Sequence, residues 1–264
     1  MTAAHVTDLA DIDFVADPFI VKDGDTYYIF YEVANGGTTT ICYSFSSDGL
    51  AWTYGGQVLT SAETGSSTLS YPCVIRVDGE WYMMPDCGGQ TVRLFKATTF
   101  PTVWIDYETL IFTAHNMRDA TPFQYNGTWY VLVFDKSLAT ARLFYAENCI
   151  YGAQWHEHPS SPILTGMDNS RPGGRPIVRE NSVDMYIQDD APTYGNLLRA
   201  YRLTNLSLTT CTAAELGTSP ILSASGSGWN ADGMHHLDRV DSGLSIVDGV
   251  SSGVFSIGIY RDVP

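Results

Sequence analysis

The chain has 264 residues, enough to bury a large core within one domain, 1–264. Its 29 acidic and 14 basic residues leave a formal charge of −15, which argues against nucleic acid and against anionic membrane surfaces as partners. Sixteen Tyr and six Trp are a heavy aromatic load for a chain with 16% charged residues, and suit a packed core together with stacking surfaces for a ligand.

Along the chain, one phrase of strand, turn and strand recurs. Residues 1–12 read as an arm that closes a ring or lies over one face. The first copy runs from Asp17 to Glu32 around a Lys-Asp-Gly turn, and its blade extends to about Leu59 past a tight Asp48-Gly49 turn with Trp52 beneath it. A Ser/Thr/Gly-rich stretch from Thr60 to Leu69 reads as a surface loop. The second copy runs from Tyr71 to Asp86, in a blade from about Ser70 to Leu110 whose segment Thr91–Ala97 alternates as a strand should. The third runs from Asp119 to Asp135, in a blade from about Arg118 to Leu164. There His156 and His158 read as an outer-strand alternation on one solvated face rather than a metal pair. The fourth runs from Gly174 to Asp189, in a blade from about Arg171 to Glu215. Blade five begins near Ser219, and a degraded fifth copy runs from Gly233 to Asp248 through a turn at Asp241-Ser242-Gly243. A repeat of roughly 50 residues built from short strands and turns predicts an all-β, five-bladed β-propeller. No helical periodicity of three turns appears.

The register of the copies points to a site. Aligning Tyr28, Tyr82, Tyr130, Tyr186 and Ile246, and stepping back eleven residues in each, reaches Asp17, Tyr71, Asp119, Arg175 and His235. Equivalent positions on five innermost strands form a ring around one mouth of a propeller channel. Two carboxylates, a phenol, a guanidinium and an imidazole on such a ring read as a functional site. Arg171 and Arg175 would clamp an anionic substituent, since a guanidinium matches a carboxylate or phosphate with two parallel hydrogen bonds. Tyr71 and Tyr194 offer sugar platforms. Gln188 is polar in an apolar strand and is expected to reach the channel, and His235 could hold substrate, a water or a cation.

Other signals are weak. The five cysteines are irregularly spaced with no Cys-x-x-Cys pair, so no zinc site is expected, and a Cys73–Cys87 bridge is open but not predicted. No apolar run has bilayer-spanning length. The first residues lack the order of a signal peptide, and localisation stays open. A monomer is expected.

Ala16-Asp17-Pro18-Phe19 with its following turn, the segment Ser46–Trp52 and the Asp119 segment resemble five-bladed glycosidases of the glycoside hydrolase family 43 type. Leu69–Pro72, Trp81–Pro85, Phe100–Trp104, Trp155–Pro159, Ser170–Arg175, Gln188-Asp189 with Tyr194-Gly195, and His235-His236 resemble more closely the N-terminal propeller of glucosaminyl inositolphosphorylceramide transferases and their bacterial relatives. The hydrolase resemblance implies an inverting mechanism on a carbohydrate, with Asp17 as base and Asp119 as the third-blade carboxylate. It also implies a glutamic acid in blade four, where this chain has Arg175, a group that cannot serve as a general acid. Asp86 is the first choice for that role, with Asp189 and Asp190 behind it. Gln188, Asp189 and His236 complete the expected substrate-binding set with Tyr71, Arg171, Arg175, Tyr194 and His235. No cofactor is required by this reading, though the channel could hold a structural calcium or other cation near His235. The alternatives are a carbohydrate-binding propeller without catalysis and a glycoside phosphorylase.

Overall fold

A computed structural model describes residues 1–240 and 243–261; the turn residues Asp241 and Ser242 of the fifth copy lie outside the described residues. Five antiparallel sheets form the five blades of a β-propeller. Blade one runs outward through Ile12–Asp23, Thr26–Asn35, Thr38–Ser46 and Thr53–Leu59. Blade two follows with Ser70–Val77, Glu80–Asp86, Thr91–Thr99 and Val103–Phe112. Blade three has Met117–Tyr125, Thr128–Asp135 and Thr140–Glu147, with two short outer strands, His156–Glu157 and Leu164–Thr165.

Blade four departs from this pattern. Its innermost strand is broken into Arg171–Pro172 and Ile177–Val178 around Gly173 and Gly174. The strand Val183–Asp189 follows, then Leu197–Thr204, whose outer edge is covered by Thr212–Glu215 and Leu222–Ser223. Blade four therefore continues past Ser219, and blade five begins only at Leu237, with Leu237–Val240, Leu244–Ser251 and Val254–Arg261. Burial repeats along the middle strands because each blade is covered on both faces by its neighbours.

The arm expected to close the ring does so. Met1 exchanges two backbone hydrogen bonds with Ile257 of the last strand, and Val6 and Leu9 pack with Val15, Leu244 and Ile257 between blades one and five. The loop after blade one contains one helical turn, Ser61–Thr64, capped by Thr60. His156 and His158 do not share a solvated face. His158 is buried, its Nε2 bonded to the Ser207 carbonyl and its Nδ1 to the Ser160 amide, while His156 is exposed. All five cysteines are free thiols. No helix among the described residues is long and apolar enough to cross a membrane.

Candidate active site

The first strands of blades one, two and three share a defect. Each pairs normally with its neighbour, then loses register for one step, between Ala16 and Phe19, Ser70 and Cys73, and Arg118 and Thr121. The first residue inside each bulge is Asp17, Tyr71 or Asp119, with φ of 51°, 49° and 54°. Left-handed backbone is unfavourable for all three residue types by about 1 kcal/mol or more, and repeated use at one repeat position marks a place where side chains are re-aimed for a purpose. The equivalence of these three positions was legible in the sequence.

Above the bulges lies a cleft of about 510 Å³ lined by Asp17, Glu32, Asp86, Asp190, Arg171 and Tyr194, among others. Its carboxyls are almost sealed from water. Burial pushes Asp17 up to about 7, with His235 opposing and Asp248 and Asp119 reinforcing the rise. Burial, then the charge of Asp119, holds Asp86 at about 6 against the pull of Arg118. Its Oδ1 accepts from the Gly88 amide at 2.6 Å and its Oδ2 lies 3.3 Å from Arg118 Nη1. Glu32 is lifted well above the usual carboxylate range by burial and by Asp17. Asp190 rises through burial while Arg171, 3.7 Å away, opposes.

Arg171 is the hub of this cleft. Its Nε donates to Asp119 Oδ2, and its guanidinium lies 5.2 Å from the centre of the Tyr194 ring. The Tyr194 ring is half-exposed, but its hydroxyl reaches inward to His235 Nε2 at 3.0 Å. His235 Nδ1 in turn meets Asp248 Oδ1 at 2.6 Å. Burial works against a charge on His235, but Asp248 and Asp17 outweigh it and raise the imidazole to about 9. Asp17, His235 and Asp248 place donor atoms within 4.8 Å of one another, and Asp17 Oδ1 is buried with no hydrogen-bond partner among the described residues. That spacing and that orphaned oxygen fit a cation, which would replace the extra proton of the His235 imidazolium.

Besides Arg175, four expected site residues stand elsewhere or do other work. Tyr71 is fully buried below the cleft, where its hydroxyl meets Thr121 Oγ1 at 2.9 Å and accepts from the Gly174 amide at 2.8 Å, so it is no sugar platform. His236 is sealed against Phe19 and Tyr71, and burial drives its imidazole down to about 3, so it stays neutral. Asp189 points away from the cleft and is tied to Arg199 at 2.6 Å. Gln188 donates to the Pro172 carbonyl at 2.7 Å inside the protein.

Arg175 is the largest correction. Blades one to three make two-residue hairpin turns, whereas blade four has four residues between Val178 and Val183. The Gly173 amide donates to the Tyr186 carbonyl, and Arg175 falls in the break between Pro172 and Ile177, where it lines a cavity with Ile20, Val21 and Lys22. Arg175 therefore belongs to the opposite mouth of the channel. Blade four brings Arg171 to the cleft instead, across from Gln188.

Sequence reasoning missed Glu32, although a signal was there: it follows Tyr28 by four residues, as Asp86 follows Tyr82. Asp248 was missed as well: the first hairpin of blade five brings it to His235, and the closure of blade five on blade one brings it to the Asp17 amide.

The family model described as "Glucosamine inositolphosphorylceramide transferase 1, N-terminal" matches residues 1–250. The chain belongs to this family. Glucosamine inositolphosphorylceramide transferase 1 of Oryza sativa subsp. japonica is 30% identical over 254 residues, which cover 90% of this chain and 33% of the relative. The chain thus spans about a third of the length of the curated relatives it matches. Among solved structures, a thermostable family-43 glycoside hydrolase superposes with a TM-score of 0.71 at 15% identity, covering 97% of this chain and 91% of that one. The catalytic domain of the Coprinopsis cinerea GH62 α-L-arabinofuranosidase gives 0.72 at 12% identity, covering 96% and 93%. This transferase N-terminal family shares with those hydrolases a five-bladed fold.

Proposed function

We propose that the cleft is a glycosidase site that cleaves an O-glycosyl bond with inversion. The observation that carries this reading is the convergence of Asp17, Asp86 and Glu32, three buried carboxyls with raised proton affinity, in one cleft large enough for a sugar. Inverting hydrolysis needs one carboxyl to activate water and another to protonate the leaving oxygen near neutral pH. Asp17 is the base, aimed by its bulge. Asp86 is the acid, because burial beside Asp119 keeps its proton into the mildly acidic range. Asp119 acts through Arg171, which it fixes in place. The half-exposed face of Tyr194 is the sugar platform.

The anion clamp expected of Arg171 and Arg175 is absent from the cleft, since Arg171 is engaged by Asp119 and Arg175 lies at the other mouth. A neutral glycan suits the cleft best. A hard divalent cation would sit among Asp17, His235 and Asp248, where its charge would favour the ionised form of Asp17.

One observation favours a second reading. The inner strand of blade four, from Arg171 to Val178, carries no carboxyl, whereas the hydrolase resemblance implies an acid on that blade, which suits a carbohydrate-binding propeller without catalysis.

A glycan-release assay separates these readings, run on wild type and Asp17→Asn with and without inorganic phosphate. The relatives are named for glucosamine and inositolphosphorylceramide, so glucosamine-bearing and inositol-phosphate glycans belong in the panel. Release without phosphate by wild type alone is expected. Release that requires phosphate would make the protein a phosphorylase. Binding without release, in both proteins, would make it a recognition domain.

A further inference from the structure

The channel is not open from end to end. Phe19, Tyr71 and His236 close it in edge-to-face contact, with ring centroids 4.7–5.4 Å apart and all three side chains buried. Whatever occupies the far mouth must therefore reach it from its own face, independently of the carboxylate cleft.

That far mouth holds a cavity of about 560 Å³, lined by Lys22, Arg175 and Arg239 over an apolar wall of Ile20, Val21 and Trp81. Three of the chain's 14 cations converge there, in a protein of net charge −15. The Arg175 guanidinium is held rigidly. Its Nε donates to Asp238 Oδ1 at 3.0 Å, and its Nη2 donates to Asp238 Oδ2 at 3.1 Å and to the Val74 carbonyl at 2.9 Å. Asp238 is itself fixed by the Ile20 amide at 2.9 Å. This pair is neutral overall, so the net charge of the cavity comes from the other two cations. Lys22 lies 4.8 Å from the centre of the Tyr27 ring, and Arg239 donates to the Tyr186 hydroxyl at 2.8 Å. Neither contact cancels a charge, and neither residue makes an ion pair with a carboxylate among the described residues.

We propose that this mouth is a second ligand site, which binds an anionic sugar through its phosphate or carboxylate. Lys22 and Arg239 supply the attraction, the guanidinium of Arg175 supplies a fixed planar donor, and the apolar wall takes the sugar ring. The same chemistry serves a phosphosugar and a uronic acid. A neutral sugar gains none of these charge-assisted bonds and should bind more weakly than either.

Isothermal titration with glucose 6-phosphate, glucuronate, glucose and inorganic phosphate tests this directly. The variants are Lys22→Gln with Arg239→Gln together, both exposed positions, and Lys136→Gln on the rim of the other cleft as a control. At least one of the two anionic sugars should bind, with affinity falling tenfold or more in the double variant and holding steady in Lys136→Gln. A phosphosugar-only or uronate-only result fixes which oxyanion the site takes. The proposal fails if neither anionic sugar binds saturably, if the double variant binds as wild type does, or if Lys136→Gln abolishes binding. It also fails if inorganic phosphate binds as tightly as glucose 6-phosphate, since the sugar would then contribute nothing. None of these outcomes depends on catalysis in the carboxylate cleft.

Discussion

Asp86 shows how much one buried side chain decides. Folding raises its proton affinity from the ordinary aspartate value to about 6, chiefly through burial. The folded chain thus holds a proton that the unfolded chain has already released. The stability this group contributes is complete below about pH 4 and is lost as pH rises through about 6. Asp86→Asn imitates the protonated form, so it should stabilise the protein at pH 8 by up to about 3 kcal/mol and change little at pH 4. Urea titrations at the two pH values measure this, and equal shifts at both would refute it. If Asp86 is also the acid and Asp17 the base, wild-type turnover should peak between about pH 6 and 7 and fall on both sides, with Asp17→Asn inactive throughout.

At the scale of elements, blade four sets what the ring can offer. Its inner strand breaks where Gly173 and Gly174 pass close to blade five. A Cβ on Gly174 would lie 1.8 Å from the Leu237 carbonyl oxygen, and its φ of +131° is strained for any other residue. The Gly174 amide also donates to the Tyr71 hydroxyl that plugs the channel. Gly174→Ala should therefore cost at least about 2 kcal/mol, since backbone cannot yield as a side chain can. Chemical denaturation would show it, and a near-neutral result would mean that blades four and five can separate. The same break, with the longer hairpin turn, explains why a count along the sequence put Arg175 on the wrong mouth. Spacing preserves register only while every turn has the same length.

For the whole molecule, the ring must close. Blade five has three strands of its own, and the arm before blade one adds to its outer edge through Met1 and Ile257. The arm also buries Val6, worth about 1.5–3 kcal/mol at full burial. Deleting residues 1–10 should lower the melting temperature by on the order of 5–10 °C. An unchanged melting temperature would show that the ring is held by contacts between blades alone.

Five copies of one strand-turn-strand phrase were enough to specify the propeller, because alternation and turn residues act locally and each copy repeats them. For the same reason the matching positions of Asp17, Tyr71 and Asp119 could be read from spacing, and all three stand at the same bulge. Three things needed the fold. Tyr71 and His236 became a plug because inward residues of several blades compete for one narrow axis. Glu32 and Asp248 entered the site from middle strands, and only ring closure gathers Glu32 with Asp86 in one cleft and brings Asp248 to the Asp17 amide. The two arginines of blade four parted to opposite mouths because a strand broken by glycine no longer keeps the period of its neighbours. Local chemistry chose the strands and turns; the distances between blades, and so the charge and proton affinity within each mouth, were settled only when the ring closed.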